Sequence, residues 1–434
     1  MNKQHLLPIV AAGLALLSPA AIAQDGRIDV SSGGDTAWML ACCSMGLLTL
    51  PGLALFYAGR VRSRNALSPI IQCAAIFALC SLLWFMVGYT LGFGEVGKGW
   101  IGNGNAWMLV SLGNLRDGTS VPESVFALFQ MIFACLAPAF LAGAWAERAR
   151  FGWTLAFAGA WSIVVYAPVA HWISGSGWLA RGVGTLDWSG GIAVHVTAGV
   201  SALALAIMLG RRRGVAPGQV APHGSLITVA GASLLWIGWL SLAGGSALTA
   251  NDDAGAAIIS MHVACAASAL TWMLLERIAR GKPSATGFAI GINAGIAAVS
   301  PAAGYISPGG AAVFGLAGAI ACWCAMQFMR RRLKIDDALG VFAVHGVGGV
   351  LGALLLAPFL SPLLGGVGYG EGMNPIAQLV AQGVGVAVVA AWSLIASVII
   401  ALMASLAFPM RVSESAERTG LDASSHGEQA WHFD

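Results

Sequence analysis

Charge is what this sequence has least of. Only 9% of its 434 residues are Asp, Glu, Lys or Arg, where a soluble globular domain carries about 25%. So little charge cannot cover a water-facing surface, which excludes a soluble protein and points to a membrane one. The net charge of +3 gives no basis for a nucleic-acid partner, and none is expected. Zinc-type spacing is also missing. The eight cysteines (42, 43, 73, 80, 135, 265, 322 and 324) fall in apolar stretches without histidine partners and read as small buried hydrophobes. Serine–histidine pairs, metal-ligand clusters and phosphate cradles are lacking as well, so neither an enzyme nor a resident metal or cofactor is expected. His171, His223 and His262 are scattered along the chain, the last two reading as interfacial or packing residues.

What is present is apolar. Hydrophobic residues make up 58% of the chain, and its mean hydropathy is +0.78. Lys3, the apolar run Leu6 to Ser18 and the small-x-small triplet Ala21-Ile22-Ala23 have the form of a secretory signal, residues 1–23, cleaved before Gln24. An uncleaved first helix is the alternative, but the apolar core is short for a span. A hydrocarbon layer of about 30 Å needs about 20 helical residues. By that measure, spans are expected at 36–58, 67–92, 121–146, 151–172, 188–210, 225–249, 254–276, 285–304, 309–330, 340–360 and 376–408. Residues 24–408 then form an all-α transmembrane domain of eleven helices, and 409–434 a short cytoplasmic tail. The 58 glycines allow these helices to pack closely in lipid.

The basic residues give the direction of the spans. With an external N-terminus, 17 of the 22 Lys and Arg residues fall in cytoplasmic segments and four in mature external ones. Arg60, Arg62 and Arg64, then Arg211 to Arg213, then Arg330 to Arg332 with Lys334 carry most of the excess. This is the positive-inside pattern at every cytoplasmic loop, and it predicts an external N-terminus and an internal C-terminus.

Two segments match each other. Asp187-Trp188-Ser189-Gly190-Gly191-Ile192-Ala193-Val194-His195 opens the fifth span, and Asp337-Ala338-Leu339-Gly340-Val341-Phe342-Ala343-Val344-His345 the tenth. The spans enter from opposite sides, the signature of an inverted five-helix repeat (spans 1–5 and 6–10) with a substrate site at the repeat interface. At about 1.5 Å per residue, each histidine lies roughly 12 Å along its helix, so the two meet near the bilayer centre. An ionisable group at that depth is costly. A lone histidine there reads best as a packing residue, whereas two at matched positions point to function. Neutral imidazoles offer one donor and one acceptor each and can share a proton. Asp187 is placed to cap its helix, with support of a cation as a further role. Asp336 and Asp337 read as caps or as salt-bridge partners of the Arg330 to Lys334 cluster.

From residue 36 to the C-terminus the chain resembles the ammonium transporter (Amt/Mep/Rh) family, in its Amt branch. The resemblance is carried by Pro51 to Tyr57 (PGLALFY), Phe129 to Cys135 (FQMIFAC), Asp187 to His195, Ala247 to Asn251 after Gly245-Ser246, Val344 to Gly349 (VHGVGG), and the tail Gly420 to Glu428 (GLDASSHGE). It implies a multi-pass protein of the bacterial inner membrane, a homotrimer with one pore per subunit. It also implies an external ammonium site in which Phe129 and Phe133 supply aromatic faces and Ser246 a hydroxyl acceptor. The resemblance further implies that ammonium is deprotonated near that site and that ammonia passes along His195 and His345. The tail is implied to pack beneath the trimer and to help a PII-type signalling protein plug the inner mouths; a solvated end is the plainer alternative. Without the resemblance, Phe129 and Phe133 are equally well read as core aromatics.

Three departures stand out. Ser174 replaces a tryptophan, so one wall of the cation cage is missing unless Trp172 turns to fill it. Leu242 replaces the second gate phenylalanine, leaving Phe133 to gate against an aliphatic partner and widening the gate towards methylammonium. Gly340 stands where a carboxylate is common. These departures keep alive an ammonium sensor of the same fold, with little or no transport. The tail is too short for a kinase or cyclase domain, so a sensor needs a separate partner.

Overall fold

Among the described residues of the computed structural model, ten helices are long and apolar enough to cross a membrane. They are α1 (Gly33–Ala58), α2 (Ser63–Phe93), α3 (Glu123–Trp145), α4 (Phe151–Ile173), α5 (Gly191–Leu209), α6 (Ser225–Gly245), α7 (Asp252–Arg280), α9 (Pro308–Leu333), α10 (Phe342–Phe359) and α11 (Pro375–Ala407). A shorter apolar helix, α8 (Ala285–Val299), lies between α7 and α9. The structure describes residues 31–97, 99–110, 114–214 and 223–431; the expected signal at 1–23 lies outside them. A two-stranded antiparallel pairing, Val96–Gly97 with Ile101–Gly102, interrupts the all-α pattern between α2 and α3.

Proline breaks the helices where they must bend. Pro51 has no N–H to donate to Leu47, and α1 is interrupted at Leu47 and Leu48. α8 stops well short of the expected 285–304. Pro301 follows it, and the chain turns over residues 300–306. That turn docks on the entry to α5, with Trp188 N–H donating to Pro301 O (3.1 Å) and Ser189 N–H to Ser300 O (2.9 Å). The early stop therefore brings Ser300 beside α5.

α5 and α10 cross at nearly bare backbone. A Cβ on Gly199 would stand 2.2 Å from the backbone of Gly346, so only glycine permits this approach. The histidines one turn before Gly199 and one residue before Gly346 are thereby drawn together.

One end of the bundle is tied by charge. Glu147, buried, accepts from Arg62 N–H and Nε (both 2.9 Å), Asn65 Nδ2 (2.8 Å) and Arg212 Nη1 (2.8 Å). Burial pushes its carboxyl up, but Arg212 and Arg62 together hold it below the usual range. The tail is docked at the same end rather than left as a solvated end. Asp422 caps α2 by accepting from Leu67 and Ser68 N–H (3.0 and 2.8 Å). Glu417 accepts from Arg213 N–H (2.6 Å) and pairs with Arg411 (2.8 Å).

Candidate functional site

The two matched segments start their helices in the same way. The Asp187 carboxylate accepts from the N–H groups of Gly191 (2.6 Å), Ile192 (2.9 Å) and Ala193 (2.8 Å). Asp337 accepts from Val341 (2.9 Å), Phe342 (2.9 Å) and Ala343 (3.3 Å). In both cases the acceptor lies four, five and six residues ahead of its donors, satisfying N–H groups that a helix leaves unpaired. The turn needs a left-handed residue three positions after each aspartate, and Gly190 (φ +87°) and Gly340 (φ +78°) provide it. This is the structural reason for glycine at 340. Asp336 takes a different course from the one expected: it pairs with Arg212 (2.8 Å) and Arg148 (3.4 Å) rather than with the Arg330 to Lys334 cluster.

These two starts bring the histidines face to face. His195 and His345 are buried, at 0% and 3% exposure. Their Nδ1 atoms lie 3.1 Å apart, and the rings are near-parallel with centroids 5.0 Å apart. Ser300 decides which nitrogen donates. Its hydroxyl donates to Ile296 O (2.7 Å) and accepts from Trp239 Nε1 (2.9 Å). His195 Nε2 stands 3.3 Å from the same oxygen. With the serine proton committed, His195 Nε2 is the donor there. His195 Nδ1 is then an acceptor, and His345 Nδ1 donates to it.

Aromatic rings lead to this pair. Phe129 and Phe133 meet edge-on at 5.5 Å, and Phe133 meets Trp239 at 6.4 Å. Trp239 stacks on His195 at 4.8 Å, and Phe140 covers His345 at 4.2 Å. At the head of the line, Gly245 packs directly on Phe129, where a Cβ would stand 2.5 Å from the ring. Ser246 follows Gly245; its hydroxyl donates to Leu242 O (2.8 Å), which leaves its oxygen lone pairs free to accept. Leu242 is fully buried and packs beside Ile132 and Gly46.

Trp172 does not join this group. Its indole donates to Trp100 O (2.7 Å), and its ring packs against Trp100, Trp178 and Trp392. It therefore does not stand in for the tryptophan missing at Ser174, which is exposed. Of the scattered histidines, His171 and His223 bond backbone carbonyls of Gly92 and Val61 (3.1 and 2.9 Å), and His262 stacks on Trp236 at 5.1 Å.

Sequence reasoning passed over Trp239, Phe140 and Ser300. Phe140 was within reach, because Phe129, Phe133 and Phe140 repeat on one helical face. Trp239 and Leu242 lie three residues apart on α6, and Ser246 follows four residues on, just past its end. Ser300 has no local signal at all. Among the described residues no group of three or more metal-ligating side chains occurs.

With this geometry in place, comparison with known proteins is direct. The family model described as Ammonium Transporter Family matches residues 37–431. Ammonium transporter Amt1 of Archaeoglobus fulgidus is 38% identical over 400 residues, covering 92% of this chain and all of that one. The solved structure described as Sensor Amt Protein superposes with a TM-score of 0.84 at 28% identity, covering 92% of this chain and 98% of its own. Candida albicans Mep2 gives a TM-score of 0.83 at 32% identity, covering 90% of this chain and 89% of its own. This chain belongs to the ammonium transporter family.

Proposed function

We propose that the protein moves ammonium across a bacterial inner membrane, taking up the cation outside and passing neutral ammonia inward. The observation that carries this reading is the buried Nδ1–Nδ1 pair of His195 and His345 at 3.1 Å, at the end of an aromatic line that starts at Phe129. At the outer site, the faces of Phe129 and Phe133 attract a cation and the Ser246 oxygen accepts an N–H bond. Farther in, the cost of burying charge favours leaving the proton behind. Ammonia then finds a donor and an acceptor in turn on the imidazoles. Leu242 in place of a second gate ring widens the acceptance towards methylammonium.

The same proposal takes α1–α11, with α8 included, as eleven spans in an inverted five-helix repeat, with the N-terminus outside. The distribution of basic residues and the matched caps at Asp187 and Asp337 support it. Assembly as a homotrimer and docking of a PII-type protein near the tail are proposed from the family resemblance, as is removal of residues 1–23.

A sensor is the second reading. It is favoured by the likeness to the Sensor Amt Protein fold and by a cage with no ring at Ser174 and without Trp172. Current and internal pH in proteoliposomes separate the two. Ammonium-evoked charge movement or alkalinisation supports transport; neither signal, with saturable ammonium binding retained, leaves the sensor.

A further inference from the structure

The end of the bundle where α10 begins holds a cavity of about 300 Å³. Its wall carries six cations, Arg60, Arg211, Arg212, Arg280, Arg330 and Lys334, and three carboxylates, Glu276, Asp336 and Asp337. Two of the carboxylates pair with cations of the same wall, and the third caps a helix. Glu276 pairs with Arg280 and accepts from Ser284 N–H and Oγ (2.8 and 2.7 Å). Asp336 is held by Arg212 and Arg148, and Asp337 caps α10. Among the described residues, Arg60, Arg330 and Lys334 have neither an ion-pair nor a hydrogen-bond partner for their side chains.

Arg60 is the telling member. It is only 7% exposed, and its guanidinium lies over the Phe56 ring at 4.7 Å. Among the described residues no carboxylate pairs with it directly; Asp337 favours its charge from beyond ion-pair distance, so its N–H donors are left for a ligand. Burial, and then neighbouring Arg330, pull it down to about 10; it remains charged at neutral pH. The place for an internal partner is visible at Gly340. A Cβ there would stand 4.0 Å from Arg60 Nη2, and the chain has no side chain at that position.

We propose that this cavity binds a phosphate-bearing anion, a phosphomonoester or pyrophosphate group, with Arg60 as its buried anchor. Six cations against three carboxylates leave the wall an excess of three positive charges, which suits the charge of about −1.5 to −2 on a phosphomonoester, or the greater charge of a pyrophosphate, better than the single charge of a carboxylate. Guanidinium forks suit phosphate oxygens, and the volume is that of a small-ligand site. Asp337 lies on the cavity wall eight residues before His345, so an occupant sits beside the start of the helix that carries this histidine. The source is a soluble phosphate compound or the headgroup of an anionic lipid.

The test uses the purified full-length protein and needs no transport. Pyrophosphate is titrated calorimetrically in neutral detergent at constant ionic strength, with acetate as control, for wild type, Arg60→Leu, Gly340→Asp and Lys334→Asn. Saturable binding of pyrophosphate but not acetate is expected, weakened at least tenfold by Arg60→Leu and by Gly340→Asp, which supplies the missing carboxylate. Lys334→Asn changes an exposed side chain, leaves the fold untouched and is expected to weaken binding severalfold even where Arg60→Leu does not fold. Repeating the titration in phosphatidylglycerol and phosphatidylcholine nanodiscs identifies the source. Competition by phosphatidylglycerol assigns the site to lipid, and indifference assigns it to a soluble compound. No saturable binding by wild type in detergent, or equal affinity in all variants, overturns the proposal.

Discussion

The segments 187–195 and 337–345 use the same residues for the same local task and then diverge in their surroundings. Each has an aspartate cap, a left-handed glycine three residues on, and a histidine eight residues on. His195 is held on its far side by Ser300 and by the stacked Trp239 ring. His345 is covered by Phe140, and among the described residues its Nε2 has no hydrogen-bond partner. Asp187 lies among aromatic and backbone groups, whereas Asp337 stands beside a wall of arginines. A repeated backbone motif can thus place two like groups together, while the unlike neighbours bind the outer nitrogen of one ring and leave that of the other without a partner among the described residues.

The hardest blow to this pairing is His195→Ala with His345→Ala. Two rings vanish at a fully buried crossing, and the space admits water and hydrated cations. Selectivity for ammonium over potassium in proteoliposome currents should fall by more than tenfold, with each single variant between the double and wild type. Next come the caps. Asp187→Ala and Asp337→Ala each strip three buried N–H groups of their acceptor, at a cost on the order of 2–4 kcal/mol. Thermal unfolding in detergent should show similar losses; a cost confined to one would mean that the starts are not equivalent.

Ser300→Ala probes the asymmetry itself. It removes the His195 Nε2 partner and orphans the Trp239 N–H, at about 1–3 kcal/mol. It also releases the tautomer, so imidazole nitrogen NMR shifts should move for both histidines. Unchanged shifts would remove Ser300 from the site. Ser174→Trp adds the missing cage wall and should tighten ammonium affinity by about 0.5–2 kcal/mol, read in currents against methylammonium. Smallest is the contrast between Gly190→Ala and Gly340→Ala. Both incur about 1–2 kcal/mol for a left-handed alanine. The new Cβ meets Val194 on the first side and the mobile end of Met326 on the second, each at 2.7 Å, so unfolding should favour Gly340→Ala slightly.

Much of the fold was legible because lipid imposes a simple rule on sequence. A span must be apolar and about 20 residues long, and basic residues collect on one side. The expected spans at 225–249 and 376–408 correspond to Ser225–Gly245 and Pro375–Ala407. The span at 285–304 was drawn too long, because hydropathy cannot see the turn that Pro301 makes against Trp188. Asp187 and Asp337 were readable as caps, since capping is local. Trp172 and Asp336 were not readable in the same way. Their partners, Trp100 and Arg212 with Arg148, are set by how distant helices lie against each other.

By itself the sequence determined a membrane chain, its succession of apolar helices and two histidines at matching positions of two similar segments. Apolarity, charge and spacing act within a few residues of one another, so they can be read in order along a chain. Tertiary structure alone decided that the imidazoles share a hydrogen bond, that Ser300 assigns its proton, and that no carboxylate pairs directly with Arg60. Each of these depends on atoms more than 100 residues apart in sequence, or on a side chain that packing fails to supply.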